Sequence, residues 1–165
     1  MKTNLTKKIE NALLDRCFAS NNHKLAKWYG CKEVTIGFPN DRILETDNIV
    51  DFLAYDRNAD NFYCFEIKVS IEDLNSDAVL SFVGNYNYLV VSEDIWYKHR
   101  EALQNKLNNL EDVGLYIYEN DKLKVLKNGK KKQITDEVKQ TLKNSLIRSL
   151  FYKLDIATNF IKEYI

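Results

Sequence analysis

A glutamate and a lysine separated by one residue, Glu66 and Lys68, lie near the end of a predominantly apolar run, residues 61–70. Such a run predicts a β-strand, in which successive side chains point to opposite faces of the sheet. Glu66 and Lys68 are therefore expected on one face, together with Phe62 and Cys64. Because a charge beside apolar groups is costly unless it is paired or bound to a metal, this pattern indicates a cleft in which the two charges act together.

A second acid, Asp51, interrupts another strand-like run, residues 49–55. The turn-rich segment 56–60 joins the two runs, so they are expected to pair as a hairpin. That pairing would bring Asp51 to Glu66 and Lys68. Two carboxylates and one ammonium are the set that metal-assisted cleavage of a phosphodiester requires, and Mg²⁺, with Mn²⁺ as its substitute, prefers such oxygen ligands. The alternative is that these are solvated charges on an exposed antiparallel face.

The same pattern occurs a second time, as Glu137-Val138-Lys139, in a stretch that predicts a helix. On a helix, side chains two residues apart lie on well-separated faces, and only residues three or four apart are neighbours. The Glu-x-Lys pattern is therefore informative only on a strand that has an acid on its partner strand.

Composition limits the class of protein. A chain of 165 residues is expected to form one domain, residues 1–165, and its 24 basic and 24 acidic residues balance. A nucleic-acid partner must therefore be recognised by a local patch. Three cysteines and two histidines without metal-ligand spacing, and a start that leads directly into a helix, favour a cytoplasmic protein with reduced thiols. No run approaches the roughly 18 apolar residues of a membrane span.

Hydrophobic periodicity predicts helices and strands in the order helix, three strands, helix, strand, helix, hairpin, helix. The predicted helices are residues 4–19, a short piece at 23–29, residues 71–83, a stretch capped by Ser92 and a long one capped by Thr135. The predicted strands are residues 31–37, 49–55, 61–70 and 86–91, and a hairpin formed by 113–118 and 123–126. A crossover helix between strands gives an α/β (α+β) fold, a mixed sheet flanked by helices.

This order of elements, with Asp51 on one strand and Glu66-Ile67-Lys68 on the next, resembles the PD-(D/E)XK nuclease superfamily over residues 51–91. Within it, residues 66–70, Asp73-Leu74, Asp77 and residues 86–91 are similar to the MmcB-like group of DNA-repair proteins and to small proteins of phages. The likeness to the phage proteins extends over most of the chain. Together, these resemblances imply a restriction-endonuclease-like fold and a Mg²⁺-dependent nuclease that acts on DNA. They also imply that the nuclease is phage-encoded and takes part in repair or recombination.

The resemblance also implies roles for individual residues. Asp51 and Glu66 would be the two metal-binding acids, and the backbone carbonyl of Ile67 would complete the metal shell. Lys68 would orient or polarise the attacking water. The three catalytic residues that follow from the resemblance are therefore Asp51, Glu66 and Lys68.

Many members of the superfamily add an acid from the first helix, which would be Glu10 here. Glu33 is the alternative, and the sequence does not fix its face. The MmcB-like pattern has a lysine and an aromatic residue where this chain has Val79 and Leu80. The alternative is therefore that this chain keeps the nuclease fold but binds nucleic acid or a protein partner without cleaving DNA.

A basic run follows the predicted hairpin. It contains Lys130, Lys131 and Lys132 after an Asn-Gly turn signal, and it would grip the phosphate backbone of DNA. The alternative is a solvated hairpin tip, because the chain as a whole is neutral.

The final predicted helix has an apolar stripe that includes Leu146, Leu150 and Leu154. This stripe either packs on the protein's own sheet or pairs with a second chain to give a homodimer. In a third interpretation, Asp51 and its two charged neighbours form only a buried ion network in a phage interaction protein.

Overall fold

The computed structural model describes residues 2–19, 22–37, 48–76 and 80–164. Their helices are α1 (Asn4–Arg16), α2 (Ile71–Asn75), α3 (Glu93–Lys98), α4 (Arg100–Asn108) and α5 (Asp136–Tyr164). Their strands are β1 (Phe18–Ala19), β2 (Asn22–Ala26), β3 (Tyr29–Thr35), β4 (Ile49–Asp56), β5 (Asn61–Lys68), β6 (Tyr86–Ser92), β7 (Gly114–Glu119) and β8 (Lys122–Lys127). The predicted α/β class, a mixed sheet flanked by helices, is confirmed.

The main sheet has six strands in the order β3-β4-β5-β6-β7-β8. The strands β5, β6 and β7 run parallel, and the outer pairs run antiparallel. Parallel neighbours need a crossover, which α2 supplies between β5 and β6, and α3 with α4 between β6 and β7. The predicted hairpin is β7–β8, and its turn residues Asn120 and Asp121 have φ values of 50° and 58°, as a tight hairpin requires.

The two faces of the sheet bury different helices. Phe65 and Ile67 of β5 pack in a cluster with Ile9 and Leu13 of α1. The opposite face divides into two clusters. In one, strand residues pack against α5, and it includes Phe62, Cys64, Leu142 and Leu146. In the other, strand residues pack against α2, α3 and α4, and it includes Leu74, Leu89, Val91, Ile95, Leu103 and Leu107. The alternation predicted for β5 is therefore confirmed, and its second face lies between α5 and α2.

The helix predicted at residues 23–29 is wrong, because β2 occupies most of that stretch and pairs with β1. The carbonyl oxygen of Cys17 accepts the backbone N–H groups of Lys27 and Trp28 at 2.7 and 2.9 Å. The chain therefore folds back on the end of α1. A seven-residue helix would gain too few internal hydrogen bonds to compete with that pairing.

Two other predicted helices are interrupted. The helix predicted at residues 71–83 ends at Asn75, since Ser76 has the extended backbone of φ −61° and ψ 147°. Of the residues that follow, Asp77 and Val79 lie outside the described residues, and Leu80 belongs to neither a helix nor a strand. The helix that Ser92 caps breaks at His99, with φ −127° and ψ 38°, into α3 and α4.

Candidate active site

The site begins where β4 and β5 separate. Their paired ladder ends at Phe52 opposite Phe65, so Asp51 and Glu66 follow at the next position on each strand. The N–H of Ile67 donates to Oδ2 of Asp51 at 2.7 Å. The carboxylate of Asp51 thus accepts a hydrogen bond that a backbone carbonyl of a neighbouring strand would otherwise accept from Ile67. Where the two strands separate, Asp51 therefore lies beside Glu66.

The carboxyl group of Glu66 is buried, and the residue is 4% exposed. Its Oε1 accepts the backbone N–H of Ser81 at 3.2 Å, and the group also interacts with Asp51. Burial and, next, the charge of Asp51 raise the pKa of Glu66 to about 8. Burial raises the pKa of Asp51 as well, although the N–H of Ile67 and the charge of Lys68 oppose the rise. Two carboxyl groups held together in a buried position share a site that favours one negative charge over two.

Lys68 lies on the same face as Glu66 and is 6% exposed. Its Nζ is 3.0 Å from Oδ1 of Asp73, which belongs to the first turn of α2. The Ser70 hydroxyl accepts the N–H of Asp73, and the second carboxylate oxygen of Asp73 accepts the N–H of Val69 at 3.4 Å. The helix cap therefore fixes the acid that pairs with the lysine. The sequence analysis did not identify the contact of Asp73 with Lys68; the available signal was the Ser-x-x-Asp spacing of a capping box.

Glu10 of α1 is 2% exposed and contacts the ammonium of Lys2. Lys2 also lies 3.0 Å from Oε1 of Glu33, and its positive charge lowers the pKa of Asp51. Burial alone would lower the pKa of Lys2, but its hydrogen bonds to Glu10 and Glu33 raise it. Lys2 is therefore a cation that the chain itself supplies to three acids, and the sequence analysis missed it.

Glu33 occupies a strained position at the same end of the sheet. Lys32 pairs with Phe52 and Val34 with Val50, so Glu33 lies across from Asp51 in the register of β3 and β4. Its φ of 50° is left-handed, which is uncommon for a residue other than glycine, and the ladder skips it. Both Glu10 and Glu33 are thus connected to the site through Lys2.

The donor atoms suit a hard divalent cation. Asp51 and Glu66 offer carboxylate oxygens, and Oε2 of the buried Glu10 has no hydrogen-bond partner, although it lies 3.8 Å from Nζ of Lys32. Within the described ranges, no three histidine, cysteine, aspartate or glutamate side chains lie close enough to hold an ion together. Two carboxylates with the Ile67 carbonyl and water are a set that Mg²⁺ accepts, because this ion keeps several waters when it binds to proteins. The metal-binding roles of Asp51, Glu66, Ile67 and Glu10 stay predictions.

The basic run lies at the other end of the sheet. Lys130, Lys131 and Lys132 are exposed in the connection from β8 to α5, so they do not form a hairpin tip. The N–H of Lys132 donates to the carbonyl of Asn85 at 2.7 Å, and Asn85 directly precedes β6. Lys68 pairs with Val91 near the opposite end of that strand. Six residues of strand separate the two places by roughly 20 Å.

Comparisons with known proteins bear on the fold alone. No family model and no curated protein matches this chain. A solved structure, the SPO1766 protein of unknown function from Silicibacter pomeroyi, is similar with a TM-score of 0.63 and 11% sequence identity, over 93% of this chain and 88% of that one. At this identity the likeness is evidence for a shared arrangement of helices and strands. In the part of the chain that is described, no helix is long and apolar enough to cross a membrane.

Proposed function

We propose that this protein is a Mg²⁺-dependent nuclease of the PD-(D/E)XK type, which hydrolyses phosphodiester bonds of DNA in repair or recombination and is encoded by a phage. The observation that supports the proposal best is the convergence of Asp51, Glu66 and Lys68 where β4 and β5 separate. Burial of two acids and a lysine at a strand end is costly for stability, so a functional reason for it is expected.

Each residue would have a distinct part in the reaction. Asp51 and Glu66 would hold the metal ion, together with the carbonyl of Ile67, and the ion would supply Lewis acidity and an activated water when bound. Lys68 would position that water or stabilise the negative charge that develops on the phosphate, while Asp73 fixes the direction of its side chain. Glu10 would extend the acidic site from the side of α1.

The lysine run would contribute to DNA binding at a distance from the cleaved bond. Phosphates on one strand of DNA are about 3.4 Å apart along the helix axis. The roughly 20 Å between the two ends of β6 therefore corresponds to about six nucleotides. Lys130, Lys131 and Lys132 would hold the backbone there and would add affinity without base specificity.

The test compares wild type with Asp51→Asn. The control is Asp56→Asn at the far end of β4, where the acid accepts turn N–H groups of Asn58 and Ala59. We expect Mg²⁺ or Mn²⁺ to raise the melting temperature of wild type and Asp56→Asn, and not of Asp51→Asn. Cleavage of single-stranded, duplex and branched DNA should follow the same pattern. The nuclease proposal fails if wild type binds the ion but leaves every substrate intact.

A second candidate, a catalytically silent nuclease-fold protein that binds nucleic acid or a protein partner, is favoured by one observation. The ammonium of Lys68 is already paired with Asp73, whose carboxylate also serves as part of a helix cap. In this candidate the buried charges have a structural role. Salt-dependent retention on DNA without cleavage, reduced by replacing Lys130, Lys131 and Lys132 with glutamine, would identify a DNA binder.

A further inference from the structure

The second half of α5 exposes large apolar side chains. Every residue from Leu154 to Glu163 is exposed, including Leu154 at 66% and Ile161 at 54%. Ile147, about two turns before Leu154, is 65% exposed. Apolar side chains clustered on a protein surface in this way are typical of an interaction site.

The first half of α5 fixes the direction of this surface. Leu142 and Leu146 are buried in the cluster with β3, and the Arg148 guanidinium donates to the carbonyl of Thr35 at 2.5 Å. Lys153 donates to the carbonyl of Glu33 at 3.4 Å. The helix has 29 residues, about 44 Å in length, so its anchored half holds the exposed half in a defined direction.

The exposed side chains have the spacing of a helix-pairing surface. We name this surface the α5 seam, and its residues, three and four apart in alternation, are Ile147, Leu150, Leu154, Ala157 and Ile161. That spacing is the a and d pattern by which one helix packs against another. Leu146, in contrast, faces the protein's own sheet, and Ile147 lies about 100° further around the helix. The predicted stripe of Leu146, Leu150 and Leu154 is thus divided between the core and the seam.

We propose that the α5 seam pairs with the α5 seam of a second copy of this chain. Over residues 153–163 of the helix, the charged residues are two positive and two negative, Lys153, Asp155, Lys162 and Glu163, so an identical helix meets no net repulsion. A helix that binds an anionic membrane surface has an excess of lysine and arginine instead. An apolar stripe on a helix segment of balanced charge is complementary to itself, as the interface of a two-fold dimer must be.

The size of the seam sets the expected strength of the dimer. Each large aliphatic side chain buries about 100 Å² when it is fully covered. The four in the seam, from both copies and with their polar borders, approach the lower end of the roughly 1,200–2,000 Å² of stable interfaces. We therefore expect a reversible dimer with a dissociation constant in the micromolar range, on the order of 1–100 µM.

Sedimentation equilibrium of the full chain between about 1 and 500 µM tests this proposal. The test variant is Ile161→Glu, and the matched control is Tyr152→Glu, which places the same charge on the opposite side of α5, where Tyr152 is 58% exposed. Wild type and Tyr152→Glu should dimerise with similar constants. Ile161→Glu should weaken the dimer by at least about tenfold, because a carboxylate would enter an apolar seam.

Circular dichroism and a melting curve should show that both variants are folded, since Ile161 lies beyond the anchored half of the helix. A wild type that stays monomeric at 500 µM would overturn the proposal, including the case in which it binds lipid vesicles through α5. A dimer that is equally strong in Ile161→Glu would overturn it too, since the copies would then meet elsewhere. Neither outcome depends on nuclease activity.

Discussion

The two Glu-x-Lys sequences of this chain have the same residues at the same spacing and opposite surroundings. In β5, Glu66 and Lys68 share a face and are 4% and 6% exposed. In α5, Glu137 is exposed, and Lys139 turns to a different side of the helix, where it donates to Asp60 at 2.9 Å. The periodicity of the element, two residues in a strand and 3.6 in a helix, determines whether the two charges share a site.

The two regions also shift the pKa values of their acids in opposite directions. Hydrogen bonds from Lys139 and then Lys143 lower the pKa of Asp60, which lies near the surface. Burial and the neighbouring Asp51 raise the pKa of Glu66. An exposed acid that gains two cations favours its charged form, whereas a buried acid beside another acid disfavours it. The strand pair therefore lies beside acids whose pKa values are raised, whereas Lys139 of the helix pair forms a surface ion pair with Asp60.

The largest expected difference between the two sequences is in catalysis. Under the proposed function, Lys68→Met should lower the rate of DNA cleavage by about 10²–10³-fold, because the transition state loses a fixed positive charge. Lys139→Met removes the same charge from the helix pair and should leave the rate unchanged. Single-turnover cleavage at saturating Mg²⁺ measures both. Equal rates for the three proteins would show that the strand pair has no part in the reaction.

The next effect is on stability as a function of pH. Glu66 has a pKa of about 8 in the folded protein and an ordinary value of 4.5 when unfolded, so the folded state binds more protons between these values. The free energy of unfolding should therefore fall as the pH rises from about 5 to 8. Glu66→Gln cannot ionise, and relative to wild type it should gain about 3–5 kcal/mol over that range.

Urea denaturation at several pH values, without divalent ions, measures this difference. Glu137→Gln is the matched control and should follow the wild-type curve within about 0.5 kcal/mol, since it replaces an exposed acid. A parallel course of the Glu66→Gln and wild-type curves would mean that Glu66 is ionised in the folded protein throughout.

The strand pair was predictable because its evidence is local. Alternation along residues 61–70 fixes the face of Glu66 and Lys68, and the short turn at 56–60 makes β4 the neighbour of β5. The partners of these residues depend on tertiary structure. Ser81, whose N–H donates to Glu66, lies outside any helix because α2 stops at Asn75, and no propensity in that segment predicts the stop.

The same distinction applies to the rest of the site. Glu10 was proposed from a resemblance, but its link to the acids runs through Lys2, which precedes α1 and connects that helix to β3 and β4, and periodicity does not predict this link. The lysine run was identified by composition alone. Its place at the far end of the sheet depends on Asn85, which binds both the N–H and the carbonyl of Lys132.

A smaller effect on stability is expected when Lys68 loses the charge of its partner, Asp73. Asp73→Asn removes the charge that faces Lys68, while the backbone N–H of residue 73 still donates to Ser70. We expect the free energy of unfolding to fall by about 1–2 kcal/mol, because a buried ammonium loses a charged hydrogen-bond partner. Glu72→Gln, an exposed acid in the same turn, is the control and should change stability by less than about 0.5 kcal/mol. If the free energy of unfolding falls equally in both variants, the loss comes from removing a negative charge at the N-terminus of α2 and not from the contact with Lys68.

The smallest expected effect concerns the cation that the chain supplies itself. Lys2 neutralises Glu10 and Glu33 and lowers the pKa of Asp51, so its ammonium competes electrostatically with any divalent ion at these acids. Lys2→Met should bind Mn²⁺ about three- to tenfold more tightly, which corresponds to roughly 1 kcal/mol. The control Lys7→Met removes an exposed lysine from α1, the helix that follows Lys2, and corrects for the change in net charge.

Calorimetric titration with Mn²⁺ at low ionic strength measures all three affinities, and the difference between the two variants should shrink as salt screens the exposed part of the interaction. A gain in Lys2→Met alone would extend the comparison of the two Glu-x-Lys sequences to a third region, the residues just before α1. That region would then adjust how strongly the strand pair attracts a metal ion. Equal affinities in wild type, Lys2→Met and Lys7→Met would instead place the ion beyond the reach of Lys2, on the side of Glu66 and Lys68.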